Sequence, residues 1–187
     1  RLAGIVRFVI DAMSGLPSIV AGLFIYTVWV LQGQGPSGLA AGLALAILMI
    51  PTVTRTAEEM LKTIDDGLRE SALALGAPQW RSVMQVVLPT ARSGLITASI
   101  LGVARAVGET APVLLTAFGS SSINWSPFNG PQADLPLYIY QLLRQPNPAQ
   151  IARAWSGALV LVLLVLILFV LARVIGERGA RVRGGSR

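Results

Sequence analysis

Neither cysteine nor histidine occurs in the 187 residues, and lysine occurs once, at Lys62. The first absence excludes disulfides and thiolate metal sites; the second removes the commonest metal ligand and proton shuttle. With no glycine-rich run ahead of Lys62, the phosphate-cradling GxxxxGK[ST] loop is missing too. Charge is scarce: 13% of residues are Asp, Glu, Lys or Arg against 53% hydrophobic, and the mean hydropathy is +0.66. That balance excludes an ordinary globular domain with a solvated surface.

The apolar residues are gathered into runs. A bilayer core takes about 20 predominantly apolar residues to cross, and Met13 to Leu31, Leu39 to Thr54, Leu95 to Phe118 and Trp155 to Val174 approach that length. No alternation of apolar and polar residues suggests barrel strands, so each run is predicted as a helix. The expected fold class is an all-α polytopic membrane protein with about four transmembrane helices. No internal repeat or low-complexity tract is evident.

The net charge of +6 raises the question of nucleic acid. Its distribution answers otherwise. Arg144 and Arg153 fall on one side of a four-pass topology and Arg105 inside the third span; the other basic residues, from Arg1 and Arg7 through Arg55, Lys62, Arg69, Arg81 and Arg92 to Arg173 and Arg187, fall on the opposite side. By the positive-inside rule, the N-terminus, the Arg55 to Arg92 connection and the C-terminus are cytoplasmic. The basic tail from Arg178 to Arg187 then serves as a topology anchor near anionic lipid headgroups. The chain opens on Arg1, and Arg1 to Gly15 lacks the layout of a signal peptide, so a fragment of a longer protein is expected.

Turn chemistry marks the connections. Gly33 to Gly38, GQGPSG, is a tight outer turn too rich in Gly and Pro to be helical. On the same side lies a longer loop, residues 119–150, in which LPLYIYQLLR is expected to form a short helix at the interface, with Trp125, Tyr138, Tyr140 and Trp155 as an aromatic belt.

The cytoplasmic connection, residues 58–89, is amphipathic. Met60, Leu61, Ile64, Leu68, Ala72 and Leu75 recur at helical spacing between charged residues. Asp65 or Asp66 can cap a helix start beside Gly67, and Gly76 suits a left-handed helix stop. Pro78 then opens a second short helix that carries Trp80, Val83, Met84 and Val87 and ends at Leu88 and Pro89. Three readings compete for this element: an amphipathic loop resting on the membrane, a helix-turn-helix with Ala72 and Gly76 at the favoured separation, and a docking element for a partner. Tethering between two spans and the lack of a third helix weigh against the second.

The third span carries charge. In a helix running from Pro89 to about Phe118, Arg105 lies roughly 24 Å along at about 1.5 Å per residue, near mid-bilayer. An arginine there costs on the order of 2.5 to 3.5 kcal/mol by insertion scales, so it faces protein or water. Glu109 lies one turn later on the same face, Thr110 adds a hydroxyl, and Pro112 inside the span is expected to kink it. The pair is either a structural neutralisation inside a helix bundle or part of an oxyanion path, in which a guanidinium offers its planar fork of donors to phosphate oxygens.

Two sets of residues resemble a known family. Glu70, Ala72, Gly76, Leu88 and Pro89 match the EAA loop of type I ABC importer permeases, with Ser71 where alanine and Val86 where isoleucine is usual. ARAVGETAP at Ala104 to Pro112, with GLPSIVAGLF at Gly15 to Phe24 upstream, resembles the PstA family of phosphate-specific transport permeases over essentially the whole chain; Ala111 and Pro112 after GET favour it over the PstC family. The resemblance implies a type I ABC importer transmembrane domain of about six spans, of which two would precede this stretch. It also implies a PstC-like permease beside it, a PstB-like ATPase dimer that holds the ATP and Mg²⁺ and docks through the coupling loop, and a PstS-like protein that delivers inorganic phosphate. This chain itself would not be catalytic and would carry no cofactor. The coupling role would fall on Glu70, Ser71, Ala72, Gly76, Trp80, Leu88 and Pro89, and the substrate path on Arg105, Glu109 and Thr110. The alternatives are a permease for sulfate or molybdate, an ion-coupled secondary transporter with Glu109 as the titrating group, and a membrane scaffold or sensor.

Overall fold

Pro17 decides the first departure from that reading. A proline has a fixed φ and disfavours a helical residue before it, so helix α1 (Leu2–Ser14) stops and α2 (Ser18–Ile25) begins afresh after Pro17. α2 continues into π-wound turns at Tyr26–Gln34, and the axis of Ser18–Gln34 is bent by 101° from that of α1. The first span therefore starts at Ser18 rather than Met13. The structure is a computed structural model that describes the backbone of residues 2–184 and the side chains of residues 2–176. The basic tail from Arg178 to Arg187 lies outside the described side chains.

The chain continues as α3 (Gly38–Lys62), α4 (Asp66–Ala74), α5 (Gln79–Ser82), π-wound turns at Val83–Val87, α6 (Leu88–Val107), α7 (Ala111–Thr116), α8 (Leu135–Leu143) and α9 (Pro148–Gly184). Among the described residues, three unbroken helices are long and apolar enough to cross a membrane: Gly38–Lys62, Gln79–Val107 and Pro148–Gly176. Counting the bent pair of α1 with Ser18–Gln34 makes four. The outer turn is the short stretch from Gly35 to Ser37, reached through Gly33 at φ +95°.

Two sequence expectations change here. The second short helix does not end at Leu88 and Pro89; it is the start of the continuous helix Gln79–Val107. Pro89 is tolerated because the turn ahead of it is widened. The Leu88 amide donates to the Val83 carbonyl five residues back, and π-type turns are one way a helix makes room for proline. The expected Leu95 to Phe118 span is likewise broken: α6 stops at Val107, and Pro112 opens α7, where its missing N–H is not needed, instead of kinking a continuous helix.

The residues cluster into two compact units, Arg1–Thr52 with Val103–Ile167, and Val53–Gly102 with Leu168–Arg187. In the first, Ile25, Val30, Ala40 and Ala44 form one buried cluster, and Ala41, Val113, Ala117 and Leu137 another. α2 and α7 meet closely enough that a Cβ on Gly22 would lie 2.6 Å from Pro112 Cα. The loop of residues 119–150 is folded against the same unit. Ser37 N donates to Thr116 O, Leu39 N to Pro127 O and Gln132 N to Ala117 O, while the Gln132 amide side chain donates to Asn124 O and Ser126 O. α8 is the short helix expected there; it buries Pro136, Leu137, Ile139 and Leu142 and leaves Tyr138 and Tyr140 partly exposed, with Trp125 and Trp155 more so.

In the second unit, Val87, Ala91, Ala98 and Ala172 are buried. Thr97 ties α6 to α9 by donating to both Ser93 O and Ala172 O.

Candidate functional site

The connection at residues 58–89 is built from cap chemistry. α3 stops at Lys62, and the chain turns through Thr63 and Ile64 to Asp65, whose carboxylate accepts from the Gly67 amide at 3.1 Å as the N-cap of α4. The amphipathic pattern from Met60 to Leu75 is thus split between two helices. α4 ends in a Schellman motif: Gly76 takes φ +80°, its amide donates to Leu73 O at 2.9 Å, and the Ala77 amide reaches back to Ala72 O at 3.1 Å. Such a left-handed residue is strained for anything but glycine. Pro78 follows as the N-cap of α5.

The result leaves large apolar side chains exposed among the described residues. Leu75 is 89% exposed, Trp80 62% and Met84 61%, and the Arg81 guanidinium lies 5.5 Å from the Trp80 ring centroid. Glu70 is exposed on α4, Ala72 is half-buried, and Leu88 and Pro89 lie in the long helix beyond. Ser71 is harmless in its alanine position, since its hydroxyl donates to Gly67 O at 2.7 Å. Because α5 runs straight into a span-length helix, no free recognition helix exists for a DNA groove.

The charged site lies in the other unit, at a helix break. Arg105 stands in the last turn of α6, where a cation is favoured by the helix dipole. The chain leaves the helix through a turn in which the Gly108 amide donates to Arg105 O and the Glu109 amide to Ala106 O. Thr110 is the N-cap position of α7, and its side chain makes no cap bond. Glu109 is therefore beyond the helix, not one turn along its face. The pair survives the break: Arg105 Nε lies 3.6 Å from Glu109 Oε1, an ion pair longer than a hydrogen bond. Its two ends differ. The Arg105 side chain is 58% exposed and that of Glu109 20%, so the carboxylate is held by the fold while much of the guanidinium is left uncovered.

Outside the spans, burial pushes the Asp134 carboxyl up from its ordinary 3.8, against amide hydrogen bonds from Leu137 and its own residue. Asp134 is the N-cap of α8 and accepts from the Leu137 amide at 2.8 Å.

Residues 1–180 match the family described as the binding-protein-dependent transport system inner membrane component. The chain belongs to this family. It is a family of transport components rather than of catalysts. Among curated relatives, the phosphate transport system permease protein PstA 1 of Mycobacterium tuberculosis (strain CDC 1551 / Oshkosh) is 43% identical over 166 residues, 88% of this chain and 55% of the relative. The phosphate transport system permease protein PstA of Pasteurella multocida is 42% identical over 174 residues, 93% of this chain and 62% of the relative. That of Yersinia pestis is 43% identical over 175 residues, again 93% of this chain and 59% of the relative. The chain thus spans between 55% and 62% of the length of these permeases.

What reading the sequence missed was the break at Gly108 to Thr110 and the closeness of Gly22 to Pro112. Only the break had a local signal. Gly108 two residues before Thr110 and a proline at a helix's second position form a recognisable stop and start.

Proposed function

We propose that the chain is the transmembrane permease subunit of an ATP-driven importer of inorganic phosphate. It lies in a bacterial plasma (inner) membrane with the residue 58–89 loop and the C-terminus cytoplasmic. The observation that carries this reading is the 42 to 43% identity, over about nine-tenths of the chain, to permeases named for phosphate transport. The geometry supports it in two places. The uncovered Leu75, Trp80 and Met84 surface suits a groove on a PstB-like ATPase, and the uncovered Arg105 guanidinium suits an anion path shared with a PstC-like permease. A half-exposed charge facing lipid would be costly, which favours water or a partner subunit at Arg105.

In this reading a PstS-like protein delivers phosphate from outside. ATP binding, with Mg²⁺, closes the ATPase dimer and draws on Glu70 through Gly76 and Trp80; hydrolysis resets the path inward. Arg105 meets phosphate oxygens, with Glu109 holding or releasing the guanidinium and Thr110 beside them.

The test is uptake of labelled phosphate by cells whose own permease has been deleted and replaced by the full-length protein. Restored uptake that stops when ATP is depleted is expected. Uptake of sulfate or molybdate instead would move the cargo, and uptake that survives ATP loss but collapses with the membrane potential would sink the ATP-driven reading.

A further inference from the structure

The second unit contains a cavity of ≈ 360 Å³ between the end of α3, the start of α6 and the end of the apolar part of α9. Arg173, Thr63, Thr90 and Ser93 line it alongside Met60 and Ala172. Its level along the spans is marked by the sequence: Arg173 is the first charge after the apolar run from Trp155 to Ala172, and Arg92 is the last charge before the run from Ser93 to Ala104. The cavity therefore lies where acyl chains give way to headgroups, on the side the positive-inside rule makes cytoplasmic.

The donors and acceptors narrow the occupant. Thr63 spends its hydroxyl proton on Met60 O and Thr97 on Ser93 O and Ala172 O, so toward a guest both hydroxyls are left with acceptor capacity only. A free phosphate dianion, itself almost all acceptor, gains little from them. A headgroup that joins a phosphodiester to hydroxyl donors satisfies both kinds of wall, with arginine for the phosphate and threonine oxygens for the hydroxyls, while the acyl-bearing end of the lipid meets Met60 and Ala172. We propose that this cavity is a binding site for the headgroup of an anionic phospholipid of the phosphatidylglycerol type, held by Arg173 and the threonine hydroxyls. Basic pockets between spans on the cytoplasmic side are a recurrent form of such recognition. The proposal rests on the cavity's lining and on the membrane topology, and stands whatever the cargo is.

The test uses the assembled, purified transporter. Native mass spectrometry counts lipid retained after titration with phosphatidylglycerol, phosphatidylcholine or inorganic phosphate. Phosphatidylglycerol is expected to be retained and phosphatidylcholine lost, with Arg173→Gln weakening retention about fivefold, Thr63→Val weakening it less, and Arg144→Gln on the opposite side leaving it unchanged. Equal retention of both lipids by the unmutated transporter overturns the proposal without any variant having to fold. So does full retention by an assembled Arg173→Gln protein. Displacement of phosphatidylglycerol by inorganic phosphate would assign the cavity to the free anion and overturn it too.

Discussion

Gly22 and Pro112 are packed backbone to backbone, so near that a Cβ on the glycine would stand 2.6 Å from the proline Cα. They belong to the two segments, GLPSIVAGLF and GETAP, that carried the family resemblance. The contact explains why both are small or rigid: α2 reaches α7 only where it has no side chain, and the second residue of α7 has its φ already fixed.

Gly22→Ala should accordingly destabilise the protein by about 1 to 3 kcal/mol, the usual range for overpacking, and Gly22→Val by more. Gly42 provides the control, since a Cβ there meets nothing within 4 Å; Gly42→Ala in mid-helix should be neutral or stabilising by up to about 1 kcal/mol. Thermal unfolding of the purified protein separates the cases. Equal melting temperatures for the two alanine variants would contradict the contact.

Gly76→Ala should cost about 1 to 2 kcal/mol at its left-handed φ and loosen the Schellman turn that sets α4 against α5. If that turn presents the surface to the ATPase, copurification of the ATPase should fall while membrane insertion is kept. Glu70→Lys should have the same effect without touching the turn. Undiminished ATPase association in both variants would remove the coupling role from this loop.

Arg105→Ala should lower phosphate uptake roughly tenfold or more, as loss of charge-assisted hydrogen bonds to an anion implies, with the complex still assembled. Arg105→Lys should recover part of it, because lysine keeps the charge and loses the fork. Failure of Arg105→Ala to assemble would instead mark the pair with Glu109 as structural.

Asp134 makes the outer loop sensitive to pH. Its folded-state pKa lies above the ordinary 3.8 because burial penalises the carboxylate, so the folded loop binds the proton more tightly than the unfolded chain. The stabilisation is fully present below the unfolded value and is lost as pH rises through the raised one. Asp134→Asn keeps a cap acceptor and removes the titration. The melting temperature of the unmutated protein should therefore fall relative to the variant as pH rises from below 3.8 to neutrality; a constant difference would refute it.

Much of this was legible beforehand for local reasons. The Asp65 cap and the Gly76 stop depend on residues within one turn of each other, and they stand as expected. The helix starts at Ser18 and Ala111 went unread because long apolar runs mask their interruptions. A run of Leu, Val and Ala supports one helix or two equally well, and only a glycine or proline inside it marks the division.

By itself the sequence determined that this is a helical membrane protein of a transport family, that its basic residues are unevenly distributed between the connections, and that these 187 residues hold no phosphate-binding loop, because composition, charge asymmetry and a missing motif need no geometry. The tertiary structure alone decided that Glu109 leaves the helix yet still meets Arg105, that Leu75 and Trp80 go uncovered, and that the hydroxyls of Thr63, just past α3, and of α6 share a cavity with Arg173. Each of these depends on how far a chain turns at a break, or on residues distant in sequence coming together, and neither is set by any local pattern.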